Sequence, residues 1–320
     1  MDKVPGRGYV LGVASSKESR GRRAAEPGYS IRVASRLTAI EPDTLRMWER
    51  RYGFPVPTRT AGGSRVYSED DVQRLLLVRR AMKVGYRPGE VVGRSAPEIS
   101  QMIARSGPSI AASNEQPVSL DAVLHALTTD DATQMRAEIK NAALVLGPKR
   151  FVTDLAYPLA QRVGTLWADG ELQVRHEHLV SEALSTQLRV LVSAFDDAHD
   201  GPTVVLTTLP DEAHGLGLLM MALYLGVHQV VPRLLGVNTP PDQIVAAARA
   251  MDAAAVGLSV VLPGDAARAA KQIRWIAAEV PRRVRVWVGG MSAPSLALKG
   301  DAVEIVQTWA DVDRLVTALR

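Results

Sequence analysis

Between a β-branched run and an apolar run lies the stretch Leu209-Pro210-Asp211-Glu212-Ala213-His214-Gly215-Leu216-Gly217. Thr203 to Thr207 before it reads as a strand, and 214 to 226 reads as the helix it opens. The same alternation continues toward the C-terminus. Gln229 to Leu235, Ala254 to Val261, Arg283 to Val288 and Ala302 to Val306 read as strands, and 240–251, 265–279, 293–299 and 310–319 as helices. Strands alternating with helices imply right-handed crossovers around a parallel sheet, here an α/β unit over 200–320 with helices on both faces. In such a sheet the ligand sits at the C-terminal ends of the strands, where the quoted stretch falls.

A histidine held in that crevice can offer a ring nitrogen to a metal, and a carboxylate two residues earlier can orient the ring. A lone histidine in such a loop also serves as a hydrogen-bonded structural residue, so the neighbouring strand ends matter. Ser259 closes the third strand in Gly257-Leu258-Ser259-Val260-Val261, and Gly289-Gly290 closes the fourth. Small residues there let a large ligand approach the backbone closely. The order Glu212-x-His214-x-x-Gly217, then Ser259-x-Val261, then Gly289-Gly290 resembles the cobalamin-binding domain of methionine synthases and mutases, a flavodoxin-like (Rossmann-like) fold. That resemblance implies His214 as the lower axial cobalt ligand, with the nucleotide tail buried beside Ser259, Gly289 and Gly290. Glu212 stands where methionine synthases have Asp, and Val261 replaces a Leu.

Upstream, from Leu120 to Phe195, apolar residues return at threes and fours, and four helices fit the span. It contains Trp167-Ala168-Asp169-Gly170-Glu171-Leu172-Gln173-Val174-Arg175-His176-Glu177-His178. On periodicity alone Trp167 reads as a core anchor, and His176 and His178 as surface residues. Before this span, the Ser, Gly and Pro residues from Ser106 to Pro117 have a linker's composition, and the expected linker runs over 99–117 with a boundary near 112.

The charge is divided along the chain. Residues 1–110 carry 20 basic and 11 acidic side chains, and the remaining 210 carry 18 and 23, so a basic front end precedes an acidic body. Residues 1–28 read as a disordered basic tail. In the segment 29–98, Ser30 can cap a short helix through Leu37, Thr38 to Pro42 is a turn, and Asp43 to Tyr52 forms a second helix ended by Gly53. That is a helix-turn-helix, whose second helix enters the major groove. Thr44, Arg46, Met47, Arg50 and Arg51 are its candidate DNA contacts, while Leu45 and Trp48 are spaced to face inward. Pro55 to Tyr67 reads as a two-stranded wing turning at Gly62-Gly63, with Arg59, Arg65 and Tyr67 placed to grip phosphates. Helices follow from Ser68 to Val84 and from Arg87 onward. The run Leu45-Arg46-Met47-Trp48-Glu49-Arg50-Arg51-Tyr52-Gly53-Phe54-Pro55 closely resembles the DNA-binding domain of MerR-family regulators.

The order of winged helix-turn-helix, four-helix bundle cap and cobalamin domain is similar to the CarH/LitR group of that family. The resemblance implies that 118–199 caps the upper cobalt face, that Trp167, Val174, Glu177 and His178 line the site, and that the cofactor is adenosylcobalamin. It further implies a double-stranded DNA operator as partner, a dimer or tetramer, and repression relieved by light. Ala168 stands where light-sensing members place a His. The alternative is a regulator that answers to cobalamin or another tetrapyrrole without light, or to no ligand.

Other classes are excluded on composition. The absence of cysteine removes disulfides, thiolate metal sites and thiol-based sensing. No apolar run reaches the length of a membrane span, and the patch Tyr9 to Ala14 is too short for a secretory signal, so a cytoplasmic protein is expected. Against a corrinoid enzyme such as a methyltransferase module, 320 residues with a DNA-reading front end leave no room for a substrate barrel of about 250 residues.

Overall fold

A computed structural model describes residues 28–60, 62–105, 119–196, 201–262, 264–296, 298 and 303–319. The expected basic tail and the boundary near 112 lie outside them.

The first segment begins with β1 (Tyr29–Ser30) and α1 (Ile31–Thr38), where the Ser30 hydroxyl accepts from the Val33 amide at 3.3 Å. After a left-handed Ala39 comes α2 (Pro42–Tyr52), with proline in its first turn and Gly53 ending it at φ 66°. Leu45 and Trp48 are fully buried, as their spacing requires; each such side chain contributes about 2–3 kcal/mol by leaving water. The wing strands β2 (Thr58–Arg59) and β3 (Arg65–Tyr67) pair antiparallel, and β1 adds to β3 from the other side. The expected two-stranded wing is therefore a sheet of order β1-β3-β2. The sequence hides β1 because two residues carry no period.

Ser68 and Asp71 form a reciprocal capping box that starts α3 (Glu69–Lys83), followed by α4 (Pro88–Val91) and α5 (Ala96–Arg105). The linker expected from residue 99 is corrected in part. Ile99 and Ile103, four apart, are buried, so the helix runs on to Arg105.

Four helices make the middle segment, as expected. They are α6 (Leu120–Thr128), α7 (Ala132–Arg150), α8 (Tyr157–Ala168) and α9 (Val174–Ser193), with a π-helical segment (Phe151–Ala156) leading into α8.

The last segment alternates β4 (Thr203–Thr208), α10 (Leu216–Val227), β5 (Val231–Gly236), α11 (Pro241–Ala250), β6 (Ala255–Ser259), α12 (Ala266–Glu279), β7 (Arg285–Gly289), β8 (Val303–Ile305) and α13 (Trp309–Ala318). The helix expected over 293–299 is a 3-10 turn confined to Ala293–Ser295. Proline in its first turn and only three helical residues leave no amphipathic face to extend. All pairings are parallel in the order β5-β4-β6-β7-β8, the doubly wound order in which the crossover direction reverses between β4 and β6. One apolar core joins α10, α13 and the sheet face beneath them to the middle helices and the first segment. A second core, from α11 and α12, covers the opposite face. Among the described residues no helix is long and apolar enough to cross a membrane.

Candidate cofactor site and nucleic-acid interface

At the carboxyl edge of the sheet, register places Thr208 beside Ser259 and Ser259 beside Gly289. This row lies at the reversal point between β4 and β6. Above it runs the loop from Leu209 to Gly215. Its sharp turn uses Asp211 at φ 68°, and the Thr208 hydroxyl donates to the Glu212 carbonyl at 2.6 Å.

Glu212 is buried and points back into the loop. One carboxylate oxygen accepts from the amides of Val261 at 2.7 Å and Leu262 at 2.8 Å; the other meets the His214 amide at 3.1 Å and the His214 Nδ1. Burial alone raises this carboxyl. The hydrogen bonds from His214, Leu262 and Val261 outweigh it and hold the group below the ordinary glutamate range. A charged carboxylate fixed on Nδ1 directs the other ring nitrogen, Nε2, outward, and the imidazole is half exposed. The strands thus supply a rigid base for one outward-facing nitrogen donor.

The glycines at this edge answer to close approach within the chain. A side-chain carbon on Gly217 would stand 3.4 Å from the Ser259 Oγ, an ordinary van der Waals contact, so helix α10 passes close to the end of strand β6. Gly290 adopts φ +100°, and a side-chain carbon would overlap the Val260 backbone. Gly290→Ala is expected to cost about 2 kcal/mol through left-handed strain and overlap. The chemical-denaturation midpoint measures this, and an unchanged midpoint would refute the close-approach account.

Exposed apolar side chains occur in the loops that leave the strands and in the cap. Val237, Leu262 and Met291 follow β5, β6 and β7, and Trp167 and Val174 flank the turn between α8 and α9. Helices α9 and α7 and the π-helical segment pack on α10, the helix that begins just after His214. Trp167 is 45% exposed, so the core-anchor expectation for it is corrected: Leu166 turns inward instead. His176 is also corrected, because it is buried. Its Nδ1 accepts from the Gln173 amide at 3.2 Å and its Nε2 lies 3.2 Å from Asp130. His178 is exposed, 3.8 Å from Glu177, whose carboxylate accepts from Ser181 at 2.6 Å. Thr207, Thr208, Asn238 and Thr239 form a hydrogen-bonded network behind the loop that sequence reading misses. Two adjacent threonines closing a buried strand are the available signal.

In the first segment Arg46, Met47, Arg50 and Arg51 lie at the surface of α2, and Thr44 is partly covered. Arg46 touches Asp43 at 2.5 Å on the same helix. Arg59 is exposed, with its guanidinium donating to the Gly63 carbonyl at 3.0 Å. Arg65 bridges to Glu49 at 2.8 Å, tying the wing to α2. Tyr67 is corrected outright. It is fully buried and its hydroxyl has no hydrogen-bond partner among the described residues, so it packs the core and does not grip phosphate. Tyr67→Phe should leave operator binding unchanged and raise stability by about 1 kcal/mol, since an unsatisfied buried hydroxyl is removed. Urea unfolding and a mobility-shift titration check this; weakened DNA binding would restore the phosphate-contact reading.

Comparisons with known proteins agree with this layout. Residues 29–93 match the MerR HTH family regulatory protein model, while 119–191 and 202–312 match two B12 binding domain models. The HTH-type transcriptional repressor CarH of Myxococcus xanthus is 31% identical over 91% of this chain and 99% of its own length. The HTH-type transcriptional repressor CarA of Myxococcus xanthus is 30% identical over 66% of this chain and 68% of its own. Among solved structures, the Methanosarcina barkeri monomethylamine corrinoid protein aligns with TM-score 0.48 and 16% identity over 62% of this chain and 96% of that one. With a MerR helix-turn-helix, two B12-binding matches and a full-length relative above 30% identity, the chain belongs to the family of MerR-type, B12-binding transcriptional regulators that includes CarH.

Proposed function

We propose that this chain is a transcriptional repressor whose hold on an operator is set by adenosylcobalamin, with light as the releasing signal. The observation that carries the reading is the outward-facing His214 nitrogen, oriented by buried Glu212 at the edge of the sheet. When bound, the cofactor supplies a cobalt centre and a cobalt–carbon bond that light can break.

The chain's own residues do the rest. His214 would supply the nitrogen ligand to cobalt, and Ser259, Gly217, Gly289 and Gly290 would lie beside the cofactor's tail. Trp167, Val174, Glu177 and His178 would cover the opposite side. Arg46, Met47, Arg50 and Arg51, with Thr44 and Arg59, would read the operator, and Arg65 would fix the wing through Glu49. Weak readers joined in a dimer or tetramer raise one another's effective concentration, so assembly alone can switch occupancy. The DNA reader would span 29–105 and the cap 119–196, and the protein would work beside its operator in the cytoplasm without catalysing a reaction.

A second reading, sensing of a corrinoid without light, is favoured by Ala168, which supplies no imidazole next to Trp167. One experiment separates them: incubation with adenosylcobalamin in the dark, then absorbance, oligomer size and operator affinity before and after green light. Loss of assembly and DNA binding on illumination supports the first reading. Bound corrinoid with no response to light supports the second, and no binding refutes both.

A further inference from the structure

Helices α8 and α9 run to and from the turn at 169–173, so Trp167 and Glu177 lie near one end of the pair. Their opposite ends are held by the DNA-binding segment. Arg36 of α1 donates to the Ala194 carbonyl at 3.3 Å and to the Asp196 carbonyl, just past the end of α9. Carbonyls there have no partner within the helix, and a guanidinium is a suitable cap.

The other helix is gripped more closely. Gly147, at φ 72° and ψ 171°, breaks α7 internally, and Pro148 starts a new helical run that continues through the π-helical segment into α8. Both sides of that break meet α3. Gln73 donates to the Leu146 carbonyl, the last before the break. Glu69 lies against Gly147, where any side-chain carbon would overlap its Oε1, and accepts the Tyr29 hydroxyl. Burial pushes the Glu69 carboxyl up to about 7, against the Tyr29 hydroxyl and the Lys149 backbone amide and ammonium, which favour charge. Gln73 thus caps the end of one helical run, while Glu69, four residues away on the same face of α3, packs its carboxylate against the start of the next. The Tyr29 and Phe195 rings, 6.1 Å apart, close the junction beside them.

From Pro148 to Ala168, and from Val174 to Ser193, each helical run spans about 30 Å at 1.5 Å per residue. A stiff helix displaced at one end moves at the other. We infer that Arg36, Glu69 and Gln73 are positioning residues that transmit the state of the 167–178 end of the cap to the DNA-reading head. The inference rests on the corrinoid-regulated reading above.

The test uses the full chain carrying Arg36→Ala, Glu69→Ala and Gln73→Ala together. Its first readout is the ratio of operator affinities with and without adenosylcobalamin in the dark. That ratio should shrink at least tenfold toward one, while corrinoid affinity and absorbance stay as in the parent. The second needs no ligand: spin labels on Lys83→Cys and Arg189→Cys, both exposed positions in a cysteine-free chain, report the distance from α3 to α9. One narrow distance in the parent should broaden in the triple variant. Glu69→Gln, which keeps the shape and can still take the Tyr29 hydroxyl, should retain most of the ratio. An undiminished ratio or an unchanged distance distribution in the triple variant overturns the inference alone. Failure of the parent to bind any corrinoid overturns the regulatory reading and the inference with it.

Discussion

His214→Ala should erase the nitrogen-ligated absorbance signature of bound adenosylcobalamin and weaken corrinoid binding at least ~100-fold, beyond the ten- to hundredfold typical of outer partners. The size follows from the geometry. The amides of Val261 and Leu262 direct their hydrogen bonds to Glu212, and Glu212 directs its remaining oxygen to His214, so the loop converges on one nitrogen. Removing that ring leaves the buried carboxylate without the partner that helps keep it charged. Glu212→Gln should act more mildly, because the ring stays while its orientation loosens; a tenfold to hundredfold loss of affinity is expected with the signature retained. Absorbance titration of both variants decides the matter. An unaltered spectrum in His214→Ala would mean that the lower ligand lies elsewhere, and equal effects of the two would mean that His214 acts only by holding the loop.

Much of this site can be read from residue order, since a parallel sheet forces its strand ends onto one edge. Once 203–208, 255–259 and 285–289 are parallel strands, the His214 loop, Ser259 and Gly289 share one edge; the strand order β4-β6-β7 then sets Thr208, Ser259 and Gly289 side by side. The helix-turn-helix is legible for a similar reason: Leu45 and Trp48 fix which side of α2 is buried, and this leaves Arg46, Arg50 and Arg51 outside. Tyr67 defeats the same logic because a strand residue beside a wing can face either side, and only the added β1, where Tyr29 pairs with Tyr67, settles the orientation. Trp167 misleads because aromatic size usually signals a core. Here Leu166, one residue earlier, takes the inward position and the indole is left at the surface. The junction at Gly147 leaves no periodic mark at all. Glu69 and Gln73 read as ordinary polar residues of a capped helix, yet the Leu146 carbonyl that Gln73 meets lies far along the chain. Meetings of a side chain with a distant helix end are set by tertiary packing, which hydrophobic periodicity does not encode.

Arg50→Ala combined with Arg51→Ala should lower operator affinity at least ~100-fold per protomer, since hydrogen bonds to charged groups are worth about 1.5–3 kcal/mol each. The affinity's dependence on salt should flatten as well. Every phosphate deprived of its arginine reduces the slope of log affinity against log salt by about 0.9, so the pair should remove ~1.8. Both side chains lie in the last turn of α2, where they also favour the negative end of the helix, so some loss of helix stability accompanies the loss of DNA binding. Arg65→Ala separates DNA reading from scaffolding. This guanidinium is already committed to Glu49, so its removal should free a carboxylate on α2 next to the exposed Arg46 and Arg50. Arg65→Ala should therefore weaken binding, and Glu49→Ala in the same chain should recover part of it. Titrations at several salt concentrations, alongside thermal unfolding, measure all of these variants. If the Arg50 and Arg51 pair leaves the salt slope intact, α2 does not face the phosphates, and the DNA-reading surface must be sought on another face of the first segment.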